Sequence, residues 1–199
     1  MKRLFSRRVL LGGSIGAAVI AAALIAALWA MWQPSGAPPA FRGQLKAFEP
    51  VAAPKTAPEL KFTDADGNEL TLGDFRGRVV LFNLWATWCA PCVEEMPSLD
   101  RLQARLGDKD FTVLALSLDR QGRNVVVPFL DKLGIRSLAI YLDASNAAMR
   151  ALGIRGLPTT ILIDREGREV GRIEGAADWN SSAAEALIRH YTDADGKST

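Results

Sequence analysis

An α/β fold, built as a mixed central β-sheet with helices on both faces, is predicted by three observations. Two nearly continuous apolar runs, Val79–Trp85 and Phe111–Leu118, have the length and unbroken hydrophobicity of strands buried on both faces. Between them Met96, Leu99, Leu102 and Leu106 recur at helical spacing, which completes a β-α-β unit. Further on, Thr159–Ile163 and Glu169–Ile173 read as strands joined through Arg165-Glu166-Gly167, with Ser181–Tyr191 as a closing helix. A parallel pair followed by a hairpin and a helix calls for strands of both directions in one sheet.

The chain has 199 residues, room for one ordinary domain and a tail. Residues 1–8 carry Lys2, Arg3, Arg7 and Arg8 and no acid. Val9 to Trp32 then runs for 24 residues without a charge. As a helix it would reach roughly 36 Å, enough for a bilayer core of about 30 Å. That exceeds the roughly 7–15 apolar residues of a cleavable signal, so residues 9–32 are expected to be a transmembrane anchor, with a cleaved signal as the alternative. Trp29 and Trp32 stand at its far end, where indoles favour the headgroup interface. Basic residues stay cytoplasmic, which sends the C-terminal body outward, into the periplasm of a bacterium with the chain held in the inner membrane. Ser6-Arg7-Arg8 also resembles a twin-arginine export signal, but stop-transfer charge explains the arginines equally well.

Residues 33–58 change composition. Six of the ten prolines lie here, and neither a helix nor a central strand survives that density. The segment reads as a Pro/Ala-rich linker, with Phe41, Leu45 and Phe48 as apolar points able to pack on the domain or the membrane surface.

The domain is expected over residues 59–192, with a polar tail at 193–199. It opens with an N-terminal β-hairpin extension: Leu60 and Phe62 alternate with polar residues, Asp66-Gly67-Asn68 turns, and Leu70 and Leu72 resume the apolar face. A helix begins near Pro91 after the first buried strand. The second buried strand is followed by a helix over Asn124–Leu133, with Pro128 as its kink or start. A short strand at Ala139–Leu142 and a short helix at Asn146–Leu152 lead into the final hairpin.

Composition excludes several functions. Setting aside the first eight residues leaves 20 basic against 22 acidic side chains, which gives no basic surface for nucleic acid. The one histidine, His190, rules out a His/Cys zinc cluster and a Cys–His dyad near the cysteines. Val93 follows Cys92, so the pair is not a haem-attachment CxxCH.

The two cysteines, Cys89 and Cys92, close too short a loop to be a useful staple. They fall where a buried strand hands over to a helix. There, unpaired N–H groups and the helix dipole favour a thiolate, the form that attacks a disulfide. Pro91 suits a first helical turn, because its missing N–H would have no partner there. Cys89 is then the attacking thiol, and Cys92, more sheltered, resolves the mixed disulfide. A lone CxxC also suits half a zinc site, but no second ligand pair exists in this chain.

Asn83-Leu84-Trp85-Ala86-Thr87-Trp88-Cys89-Ala90-Pro91-Cys92, followed by Glu95-Met96-Pro97, resembles the TlpA/ResA/CcmG branch of the thioredoxin superfamily, and within it TlpA most. Gly156-Leu157-Pro158-Thr159-Thr160 and Gly175-Ala176-Ala177-Asp178-Trp179 extend the likeness over roughly residues 59–191. The resemblance implies a thioredoxin-like fold and a membrane-anchored thiol:disulfide oxidoreductase whose redox centre is its own cysteine pair, with no other cofactor. Pro158 matches the family's cis-proline, and Leu157 with Trp88, Ala90 and Pro91 would line a docking groove. Glu95 matches an acidic residue that tunes the thiols. Thioredoxins proper carry a buried aspartate where this chain has Asn83, so Glu95 is expected to take over the proton role. Trp179 is expected to pack the last helix.

The resemblance also implies direction and partners. An oxidase of the DsbA type carries a helical insertion and usually a histidine inside its CxxC, whereas this chain has Ala90-Pro91 and no room for an insertion. Reduction is therefore favoured, with electrons from a DsbD/CcdA-type membrane dithiol carrier and with the domain acting as a monomer. TlpA-like proteins are associated with copper-delivery proteins and the copper subunit of cytochrome oxidase, ResA- and CcmG-like ones with apocytochrome c CxxCH pairs. CcmG-like proteins place glutamate where Thr159 stands, which favours the copper clients. A broader reductant role is the remaining client reading. Two readings of other kinds are a tethered copper- or partner-binding module without turnover, and a peroxidase; the latter's PxxxTxxC pattern is absent.

Overall fold

In the computed structural model, residues 45 and 47–194 are described. The basic segment 1–8, the apolar span 9–32, most of the linker before residue 45 and the end of the tail lie outside the described residues. Among the described residues no helix is long and apolar enough to cross a membrane.

The strands are β1 (Glu49–Thr56), β2 (Lys61–Asp64), β3 (Glu69–Thr71), β4 (Val79–Trp85), β5 (Phe111–Ser117), β6 (Tyr141–Leu142), β7 (Thr159–Ile163) and β8 (Arg168–Glu174). The helices are α1 (Ala90–Leu106), α2 (Arg123–Leu133), α3 (Ala147–Ala151) and α4 (Ser182–Ala194), with a 3-10 turn at Leu72–Phe75. All eight strands form one sheet in the order β1-β8-β7-β4-β5-β6-β2-β3. β4 runs parallel to β5 and antiparallel to β7, so the sheet is mixed as the element order requires.

Every residue of β4 is buried, and the period of two divides its side chains between two cores. Val79, Leu81 and Trp85 meet α1, α2 and α4 through Met96, Leu99, Val126, Leu130 and Leu187. Val80, Phe82 and Leu84 face Phe62 of the hairpin, Phe75 of the 3-10 turn and Leu152 after α3. Asn83 falls on the first of these faces, a polar residue placed by strand alternation among helices.

The hairpin β2-β3 forms as expected and joins the sheet through β6. Its turn is closed by Asp64, whose Oδ1 accepts the N–H groups of Asp66 and Asn68, while Gly67 takes φ +87°. Pro128 neither starts nor ends α2, which begins five residues earlier after Gly122.

The linker expectation needs correction at its C-terminal end. Residues 49–56 are strand β1, paired antiparallel with β8, so the folded unit begins before residue 59. Pro50 and Pro54 are tolerated because β1 is an edge strand, and its pairing slips between Pro50 and Lys55. Leu45 (1% exposed) and Phe48 anchor this strand by packing into the α1/α4 core. Gly171 of β8 makes room for Phe48: a Cβ there would lie 2.3 Å from the ring's Cζ and 2.9 Å from the Glu49 carbonyl oxygen. Gly171→Ala is therefore expected to lower unfolding stability by about 1–3 kcal/mol, measured by urea denaturation. An unchanged midpoint would mean that β1 is not part of the cooperative unit. The polar tail is likewise shorter than expected, since α4 continues to Ala194.

Candidate active site

β4 lies in the middle of the sheet, and at its C-terminal end Ala86, Thr87 and Trp88 turn the chain into α1. The turn is held from below by β5. Leu118 donates its N–H to the Trp85 carbonyl at 2.9 Å. Buried Asp119 accepts the Thr87 N–H at 2.9 Å, the Thr87 hydroxyl at 2.7 Å and the Ser117 hydroxyl at 2.9 Å. This tether fixes the backbone two residues before Cys89, and sequence reading gave no sign of it.

Cys89 caps α1, its Sγ accepting the Cys92 N–H at 3.3 Å, with Pro91 in the first turn. Cys89 and Cys92 form a disulfide, with Cα atoms 5.3 Å apart. Cys89 retains 6% exposure and Cys92 none, so Cys89 is the sulfur that a partner can reach. Trp88 is 70% exposed, and Ala90 and Pro91 are exposed beside it. Leu157 is half-buried and Pro158 buried, and the bond between them is cis. Thr159 pairs with Leu84, which brings Pro158 to the end of β4 from which the Cys89 turn departs.

Glu95 lies one helical turn beyond Cys92 and is only 3% exposed, so it is not part of a solvated Glu94-Glu95 pair. Its Oε1 accepts from Asn83 Nδ2 at 2.8 Å. Its Oε2 accepts the Ala177 N–H at 3.0 Å and the Trp179 indole N–H at 3.1 Å. Asn83 Nδ2 also donates to Thr160 Oγ1 at 2.8 Å, its partner across the β4-β7 ladder. Burial pushes the Glu95 carboxyl up to about 7, against the pull of the three donors, with the Ala177 N–H the strongest of them. A carboxyl of that kind exchanges a proton near neutral pH.

Trp179 does pack into the core beside α4, and it also supplies a bond to Glu95 that the sequence did not reveal. Ser98 ties it further, donating to the Glu95 carbonyl and accepting the Trp179 N–H. No spacing rule links residues 84 positions apart; the Gly175–Trp179 motif was the only available pointer. His190 stands on α4 against Tyr191 and takes no part in this network.

A strand-to-helix CxxC with one reachable sulfur, over a mixed sheet with helices on both faces, defines a thioredoxin-like thiol-disulfide oxidoreductase. Comparison with known proteins agrees. Residues 52–188 match the Redoxin family model. The Thiol-disulfide oxidoreductase ResA of Bacillus cereus is 30% identical over 135 residues, covering 68% of this chain and 77% of that protein. The ResA of Geobacillus thermodenitrificans is 36% identical over 118 residues, 59% of this chain and 67% of that one. A crystal structure of a putative Thiol:disulfide interchange protein DsbE from Chlorobium tepidum superposes with a TM-score of 0.63 at 29% identity, covering 70% of this chain and 96% of its own. The chain belongs to the Redoxin family of the thioredoxin superfamily, in its ResA/CcmG-like group.

Proposed function

We propose that this protein is a membrane-tethered reductant of protein disulfides, held in the bacterial inner membrane with its domain in the periplasm. The tether rests on the charge-free run Val9–Trp32 and the basic residues before it. The observation that carries the direction is the short path from β5 to β7. Only α2, β6 and α3 lie between them, with no helical insertion of the oxidase kind.

In the reduced protein the Cys89 thiolate attacks a client disulfide, forming a mixed disulfide and releasing one client thiolate. Cys92 then gives up its proton and attacks the Cys89 sulfur, which frees the second client thiolate and leaves the Cys89–Cys92 disulfide. Glu95, buried one turn from Cys92, takes that proton and returns it to the departing client. Trp88, Ala90, Pro91, Leu157 and Pro158 line the groove for the client chain. A membrane dithiol carrier of the DsbD/CcdA type restores the dithiol.

The client class we favour is cysteine pairs of copper-delivery proteins and the oxidase copper subunit. Supporting this, the residue after Pro158 offers no carboxylate: Thr159 is buried and its hydroxyl donates to the Gly156 carbonyl at 2.8 Å. A second reading is the CxxCH thiols of apocytochrome c, the clients that the sequence resemblance associates with ResA-like proteins; the likeness to relatives named ResA supports it. A copper-binding role without turnover is less well supported, because no group of three His, Cys, Asp or Glu side chains gathers among the described residues.

Trapping tests the proposal. Full-length Cys92→Ser expressed in cells should accumulate a mixed disulfide through Cys89, and mass spectrometry should identify a copper-site protein in the adduct. Apocytochrome c in the adduct would transfer the proposal to the second reading. Absence of any mixed disulfide, where the wild type is active, would overturn the mechanism.

A further inference from the structure

A cavity of about 520 Å³ opens beside Trp88, the residue that precedes Cys89. Trp88, Leu118 and Val125 give it apolar wall, and Arg120, Gln121 and Asn146 give it polar atoms. The carboxylate of Asp119 also borders it, but Asp119 is only 4% exposed and its oxygens are occupied by the neutral donors of Thr87 and Ser117. Arg120 is different. It is exposed, and among the described residues no ion pair or hydrogen bond reaches its guanidinium. The exposed charge in the cavity is therefore a cation with a planar, two-pronged donor face, which suits a carboxylate.

The position of the cavity says what enters it. A client joined to Cys89 has to lay the residues flanking its own cysteine against Trp88, which stands 70% exposed next to the attacking sulfur. We propose that this cavity is a client subsite for an acidic side chain close to the client's disulfide, with Arg120 as its counter-charge. The aliphatic stem of a glutamate packs on Trp88 and Val125 while its carboxylate meets the guanidinium. The inference rests on the exchange reading of Cys89 and adds a charge preference to it.

The test uses the reduced full chain and synthetic disulfide peptides that differ in one residue beside the reactive cysteine: glutamate, glutamine or lysine. At low ionic strength kcat/KM for the glutamate peptide should exceed that for the glutamine peptide by about fivefold, the size expected of a partly exposed ion pair, and the ratio should fall with added salt. Arg120→Ala should bring the ratio to about one, and Arg120→Glu should shift the preference to the lysine peptide. Arg101, exposed on α1 and outside the cavity, controls for net charge, and Arg101→Ala should keep the ratio. A wild-type ratio near one, a ratio that survives Arg120→Ala, or one lost equally in Arg101→Ala would each overturn the subsite alone. Failure of the wild type to reduce any peptide would overturn the exchange reading, and the subsite with it.

Discussion

Cys89→Ser is expected to reduce disulfide exchange to the uncatalysed background, whereas Cys92→Ser should complete one attack and then stop. The asymmetry follows from burial and from the helix start. Cys89 keeps surface exposure and sits at the first turn of α1, where the Cys92 N–H points at its sulfur and the dipole favours negative charge. A serine hydroxyl there stays protonated at neutral pH and cannot attack. Cys92 is wholly buried, so no client reaches it, but its loss leaves the mixed disulfide without a second nucleophile. Stopped-flow mixing with a disulfide peptide reads both outcomes: no burst for Cys89→Ser, and a burst of one equivalent without turnover for Cys92→Ser. Equal residual turnover in the two variants would mean that the roles of the sulfurs are not distinct.

The second large effect is in pH dependence. With its folded pKa raised to about 7 from an ordinary value of 4.5, Glu95 binds its proton more tightly in the native state than in the unfolded chain. The native state is thus favoured by that proton below the unfolded value, and the advantage is lost as pH rises from 4.5 through about 7. The loss amounts to about 3 kcal/mol. Unfolding by urea should show the oxidised wild type less stable at pH 8 than at pH 5 by that order, and Glu95→Gln should flatten the slope. Catalysis should respond to the same group. The wild-type exchange rate should bend near pH 7, and Glu95→Gln should remove the bend and slow the resolving step by about a hundredfold. If both cysteine pKa values and the exchange rate are unchanged in Glu95→Gln, the proton role of Glu95 is wrong.

Particular residues show how far the sequence could be read. β4 and β5 were legible because strands buried on both faces leave unbroken apolar runs. The CxxC was legible because only two cysteines exist and they fall at the end of such a run. β1 was hidden: its eight residues, Glu49–Thr56, carry two prolines and little hydrophobicity, and they form a strand only because β8 offers an edge and Gly171 a seat for Phe48. Asp119 looked like an ordinary loop acid, and its hold on Thr87 depends on β4 and β5 ending side by side at Trp85 and Ser117.

Local patterns in the sequence alone determined the mixed α/β architecture and the redox pair Cys89 and Cys92, because hydrophobic period, helix-start chemistry and residue scarcity are all short-range or compositional. Glu95 instead became a candidate through the resemblance to the TlpA/ResA/CcmG branch. Only the tertiary structure decided what Glu95 is. Asn83 from β4, Ala177 from the loop after β8 and Trp179 before α4 converge on one carboxylate from positions up to 84 residues away. Burial by those segments, not any neighbour in the chain, raises its proton affinity, and long-range burial of that kind leaves no period or spacing in the sequence to be read.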